Sequence, residues 1–135
     1  LKAMGADVVL GGPTTLMPAE IEKLGIKAYT NVDKAIEGAD VVMGLRIQLE
    51  RQKKGLFPTV REYHKFFGVD EKRMALASPD AIVMHPGPVN RGVELSANVI
   101  DKENSVICDQ VTNGVCVRMA VLNILANGDD ARKGL

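Results

Sequence analysis

Short apolar runs recur along this chain, each bounded by glycine, proline or polar residues and separated by stretches with helical spacing. Ala6-Asp7-Val8-Val9-Leu10 is closed by Gly11-Gly12-Pro13, and Ile26-Lys27-Ala28-Tyr29 precedes Thr30. Asp40 to Leu45 and Ala81 to Met84 follow, with Ser105 to Cys108 as a fifth candidate. Such runs, bounded by turn residues, predict strands. Asp40 to Leu45 is apolar enough to predict a central strand.

The segments between them carry helix signals. Pro18 to Leu24 predicts a short helix, with Pro18 in its first turn and Gly25 past its end. Thr30 is placed to cap a helix through Glu37, with Asp33 as a weaker capping-box partner and Gly38 as the stop. Pro58-Thr59 opens a helix to about Phe67, and Thr59-x-x-Glu62 is a full capping box. Asp70 to Ala77 predicts another helix, and a long one follows from about Gln110 to Ala126. Its Val111, Val115, Val117, Leu122 and Leu125 roughly fit one helical face. Arg46 to Phe57 reads as a long polar loop, a length associated with function or motion.

Strands alternating with helices predict the α/β class, an open, mainly parallel sheet with helices on both faces. Residues 1–127 read as one domain and 128–135 as a flexible polar tail. Leu1-Lys2-Ala3-Met4-Gly5 reads as the last turn of a helix ending at glycine, which implies that the chain is a piece of a longer protein.

Composition narrows the function classes. The 135 residues suit one domain that buries about 68% of its unfolded surface. Net charge is zero, so no global field recruits nucleic acid or an anionic membrane. No apolar stretch approaches the ~20 residues of a membrane helix, and no signal-peptide pattern is present. Cys108 and Cys116 lack metal or redox spacing and read as a reduced, buried pair. His64 and His85 are too few and too separated for a metal site, and His64 reads as a surface residue.

Two segments carry the candidate chemistry, and each follows a predicted strand. In an open parallel sheet, ligands bind beyond the carboxyl ends of strands. Arg46 and Gln48 are two apart in extended chain and point to one side. Arg46 offers a planar fork matched to a carboxylate or phosphate. On spacing alone, a solvated charged loop is the competing reading. In His85-Pro86-Gly87-Pro88, two prolines stiffen the backbone and leave its carbonyls free to accept from a ligand NH2 group. The competing reading is a rigid turn, and His85 suits a structural hydrogen bond better than a general base. Arg91 can pair with Glu94 or with Glu50, and the second pairing would tie the two loops together. Gln110-Val111-Thr112-Asn113-Gly114 can cap the long helix or hold an anion there. Gly11-Gly12-Pro13-Thr14-Thr15 lacks the lysine and spacing of a phosphate loop and reads as a turn.

Together these segments resemble the second domain of the aspartate carbamoyltransferase family. The matching stretches run in the family's order over nearly the whole chain. They are Gly12-Pro13-Thr14-Thr15-Leu16 with Pro18; Leu45-Arg46-Ile47-Gln48 with Glu50-Arg51; Phe57-Pro58 with Glu62-Tyr63; Asp80 to Pro88 with Asn90-Arg91-Gly92-Val93-Glu94; and Gln110-Val111 with Asn113-Gly114-Val115 and Val117-Arg118. Ornithine carbamoyltransferase shares the architecture but carries a cysteine in the loop matching Pro86-Gly87.

The resemblance implies a three-layer, Rossmann-like domain and a transferase of pyrimidine biosynthesis that condenses carbamoyl phosphate with L-aspartate. It implies that Arg46 clamps an aspartate carboxylate, assisted by Gln48. The backbone of Pro86, Gly87 and Pro88 would meet the carbamoyl group, with Pro88 following a cis bond. Glu50, Arg51, Arg91 and Glu94 would stabilise the loops. It implies no catalytic nucleophile in this domain, no metal and no cofactor. It further implies a cytoplasmic homotrimer whose sites are completed by an N-terminal domain of the same chain. The fragment alone is then expected to be inactive. A non-catalytic domain kept for assembly, or a carbamoyltransferase for another amino acid, are the alternatives.

Overall fold

The computed structural model describes residues 1–48 and 59–128. Its strands are β1 (Val9–Gly11), β2 (Lys27–Tyr29), β3 (Val41–Met43) and β4 (Ile82–Met84). Its α-helices are α1 (Val32–Ile36), α2 (Val60–Phe67), α3 (Glu71–Met74), α4 (Ala97–Ile100) and α5 (Ile107–Asn127). All the predicted helical regions contain helical turns, and α4 was not predicted.

The α/β class and the parallel sense of the strands are as expected. β1 pairs with β2, Leu10 opposite Ala28, and β3 pairs with β4, Val42 opposite Val83. Among the described residues the ladders form two two-stranded sheets rather than one continuous sheet. β4, not β3, occupies the inner position, because Val83 faces Val42 on one side and bridges to Ser105 on the other. The predicted fifth strand is reduced to that bridge. Val106 N–H donates to the Val83 carbonyl, and α5 begins at once with Ile107.

Local chemistry explains the element ends. The first turn, Lys2–Met4, is a 3-10 helix stopped by Gly5 in the left-handed region. Helix Pro18 to Leu24 shortens to a 3-10 turn at Ile21–Leu24, since Glu20 adopts φ 62° ahead of it. The cap of α1 is Asn31 rather than Thr30: its side chain accepts from Asp33 N–H at 3.0 Å. Thr59 accepts from Glu62 N–H at 3.1 Å, the expected half of the capping box. Asp70 accepts from Arg73 N–H at 2.9 Å and caps α3. Arg73 then ties three elements together. It pairs with Asp33 of α1 at 2.8 Å and donates to the carbonyls of Lys65, Phe66 and Gly68 at the end of α2.

The core gathers Val32 and Ile36 of α1, Val42 of β3, Val83 of β4, Val99 of α4 and Ile107 of α5 around Leu95. A smaller cluster of Ile47, Tyr63 and Val93 sits under the loop that leaves β3. α5 contains the expected long helix but is mostly uncovered. Only its first residue is buried, and Val117, Met119, Leu122 and Leu125 are exposed, the last by 75%. Cys108 and Cys116 lie on this helix and are exposed and free, not a buried pair.

Candidate functional site

β3 and β4 are neighbours running in the same direction, so the segments that follow them leave the sheet at one edge. Gly44 N–H continues the ladder to the Met84 carbonyl at 2.9 Å. A Cβ on Gly44 would lie 3.1 Å from both His85 Cδ2 and Leu95 Cγ, so only glycine lets β3 end against the His85 ring.

Beyond Gly44 the chain alternates. Ile47 turns its side chain into the cluster with Tyr63 and Val93, while Arg46 is half-buried and Gln48 exposed. Arg46 and Gln48 line a cleft of ≈ 700 Å³. Glu94 is its third polar wall, and Pro13, Met17 and Met43 are among its apolar walls. Pro86, Gly87 and Pro88 do not line this cleft; they stand at the same sheet edge, after β4.

The bend after β4 is held by its own neighbours. His85 is fully buried. Its backbone N–H donates to Gln110 Oε1 of α5 at 2.7 Å. Its Nδ1 accepts from Gly87 N–H at 2.9 Å, which leaves the hydrogen on Nε2, facing Glu94 Oε1 at 3.1 Å. Gly87 takes φ 72°, a region that side chains rarely occupy, and the Gly87–Pro88 bond is cis. Pro86 and Pro88 are exposed and Gly87 half-buried.

Burial lowers the basicity of His85, and the Glu94 charge only partly opposes it. The positive charge of Arg46 lowers it further, so the Arg46 field reaches this ring. Burial, reinforced by Glu94, pushes the Tyr63 hydroxyl up to about 12.

Several residues are placed differently from expectation. Arg91 pairs not with Glu94 but with Asp101, through two bonds of 2.8 and 2.9 Å. Glu94 instead serves His85 and the Asn90 N–H, the latter at 2.7 Å. Gln110 lies within α5 and presents its side chain, so the segment it opens is not a helix N-terminus. His64 is half-buried and donates from Nδ1 to the Val93 carbonyl at 3.0 Å, rather than standing on the surface. Glu50 and Arg51 lie outside the described residues. Among the described residues no group of His, Cys, Asp or Glu is arranged to hold a metal, and no helix is long and apolar enough to cross a membrane.

Sequence reasoning missed two contacts. Asn90 Nδ2 donates to the Ile47 carbonyl at 3.0 Å, joining the two loops across 43 positions. Gln110 anchors His85. Both residues lie in the quoted motifs, but nothing in one-dimensional spacing says which backbone group a side-chain amide will find.

The chain as a whole is similar to known proteins. Residues 1–125 match the family model described as "Aspartate/ornithine carbamoyltransferase, Asp/Orn binding domain". The chain is 66% identical over 125 residues to an aspartate carbamoyltransferase catalytic subunit of Ruminiclostridium cellulolyticum, covering 93% of this chain and 40% of that protein. It is 62% identical over 126 residues to the corresponding subunit of Acetivibrio thermocellus, again over 93% of this chain and 40% of that protein. Among solved structures, an ornithine carbamoyltransferase from Pyrococcus furiosus superposes with a TM-score of 0.73 at 29% identity, covering 91% of this chain and 42% of that one. The chain thus spans about 40% of the length of the curated relatives it matches.

Proposed function

From the premise that this chain belongs to the aspartate/ornithine carbamoyltransferase family, as its Asp/Orn binding domain, we propose that it forms the amino-acid half of an aspartate carbamoyltransferase site. The reaction is the transfer of the carbamoyl group of carbamoyl phosphate to the amine of L-aspartate. The amine lone pair attacks the carbamoyl carbon, the bond to the phosphate oxygen breaks, and the departing phosphate can accept the proton. Holding amine and carbon in near-attack geometry can supply about 7–11 kcal/mol, so the chemistry needs positioning more than a protein nucleophile.

The observation that carries this reading is the meeting of two loops at one sheet edge. The arginine–glutamine pair follows β3, the proline-stiffened bend follows its parallel neighbour β4, and Asn90 joins them at 3.0 Å. In this reading Arg46 forks onto a carboxylate of aspartate, and Gln48 assists. The carbonyls of Pro86 and Gly87 accept from the carbamoyl NH2 group, and Pro88 fixes the bend. Each charge-assisted bond from Arg46 contributes about 1.5–3 kcal/mol. Glu50 and Arg51 lock the loop after β3, and Arg91 braces its own loop through Asp101.

Phosphate recognition falls to a second domain, and the exposed apolar side of α5 supports further protein packing there. The assembled enzyme is placed in the cytoplasm, as a homotrimer serving pyrimidine biosynthesis. Aspartate is favoured over ornithine by the Pro86-Gly87 pair and by the identity to aspartate enzymes.

The test is a substrate comparison on the full-length protein that carries this domain. With carbamoyl phosphate present, L-aspartate should be carbamoylated and L-ornithine should not. Preference for ornithine would reassign the acceptor, and inertness with every amino acid would favour an assembly role.

A further inference from the structure

The bond from Asn90 to Ile47 does more than close a loop. Ile47 stands between Arg46 and Gln48, and its side chain is already fixed by Tyr63 and Val93. Packing of one apolar side chain leaves the peptide plane free to tilt. A hydrogen bond to the carbonyl removes that freedom, and with it the freedom of the two flanking side chains. Asn90 is itself held: its N–H donates to Glu94 Oε1 at 2.7 Å. The same oxygen receives His85 Nε2–H at 3.1 Å, and His85 Nδ1 receives Gly87 N–H at 2.9 Å. A continuous chain of bonds therefore runs from Gly87 through His85, Glu94 and Asn90 to Ile47. Glu94 is 4% exposed, so water does not compete with it strongly.

We propose that Asn90, anchored by Glu94, is a positioning residue that keeps the Arg46–Gln48 segment in register with the His85–Pro88 bend and so sets the separation of amine and carbamoyl carbon. This rests on the function proposed above. It assigns neither Asn90 nor Glu94 a contact with substrate. A misplacement of about 1 Å between reacting groups can lower a rate about 100-fold while each ligand still binds.

The test uses the full-length protein and two kinds of readout. In Asn90→Ala, amide hydrogen exchange should rise in residues 45–48 and stay unchanged in β4 and α5. With saturating carbamoyl phosphate and L-aspartate, kcat should fall about 10- to 100-fold, while the dissociation constant of carbamoyl phosphate stays within about twofold of wild type. Asn90→Asp, which keeps the shape but loses the donor, should behave likewise and guards against a cavity artefact. Glu94→Ala should reproduce the kcat loss, and Glu94→Gln, whose amide oxygen can still accept both bonds, should recover much of it. Unchanged exchange at 45–48, or unchanged kcat in both Asn90 variants, overturns the proposal. So does exchange that rises evenly through the chain, which would mark a purely structural role. If the wild-type protein fails to carbamoylate aspartate, the functional reading falls, and the exchange data alone decide whether Asn90 registers the loops.

Discussion

His85 and Glu94 meet inside the protein, imidazole Nε2 to carboxylate Oε1 at 3.1 Å, with the ring wholly enclosed. The Gly87 N–H on Nδ1 makes this a neutral ring by geometry, since a proton there would face another donor. Burial and the Arg46 charge act in the same direction, and together they outweigh Glu94.

Acid should therefore weaken the fold through this residue. A histidine whose folded pKa lies below its unfolded value of about 6.5 binds fewer protons when folded. Its contribution is complete above about pH 6.5 and falls as pH drops through that value toward the lowered one. Urea unfolding of the full-length protein between about pH 8 and 5 should show stability declining from about 6.5 downward, with a shallower decline in His85→Gln. A wild-type profile that stays level across this window would remove the argument.

Gly44 and Leu95 are coupled sterically. Leu95 is fully buried, and Leu95→Ala should cost about 2–5 kcal/mol. Gly44→Ala should also destabilise, because the new Cβ would lie 3.1 Å from Leu95 Cγ. Removing the leucine side chain makes room for that methyl. The double variant should thus be more stable than the sum of the singles implies, by at least about 0.5 kcal/mol. Strict additivity in urea melts would show that the His85 ring alone resists the methyl.

The strands were legible because apolar runs of four to six residues ended at Leu10, Tyr29, Leu45 and Met84, near the observed termini. The site loops were singled out by the resemblance, since spacing alone left a solvated charged loop and a rigid turn as competing readings. What stayed hidden depends on partners distant in sequence. Ser105 to Cys108 has strand-like composition, yet one bridge to Val83 satisfies it and helix formation takes over at Ile107. The apolar positions of α5 gave its helical spacing but not its exposure, because periodicity reports a stripe, not what covers it. Cys108 and Cys116 went wrong for the same reason. Arg91 had acidic residues on several sides, and only the backbone path brings Asp101 to it.

The caps offer a local check of the same lesson. Asn31, Thr59 and Asp70 each accept a helix-start N–H. Replacing any of them by alanine should cost about 1 kcal/mol. Thr30, equally attractive by composition, sits one residue too early and is exposed, so Thr30→Ala should lie within about 0.5 kcal/mol of wild type. Equal losses at Thr30 and Asn31 in chemical denaturation would mean that the cap is shared.

Arg46→Ala separates the two ligands. Arg46 lines the cleft with Gln48, whereas the bend at Pro86 to Pro88 stands outside it, so the proposed function assigns the amino acid and the carbamoyl group to different loops. Loss of one or two charge-assisted bonds of about 1.5–3 kcal/mol each should raise the aspartate KM of the full-length enzyme roughly 10-fold or more. Carbamoyl phosphate affinity, measured by calorimetry without aspartate, should change less than about twofold, since no step of its binding uses this side chain. Gln48→Ala should shift the same constant in the same direction by less, because a neutral amide makes weaker bonds to a carboxylate than a guanidinium does. If Arg46→Ala weakens both ligands alike, the arginine serves the loop as a whole, and the division of labour between the β3 and β4 loops fails with it.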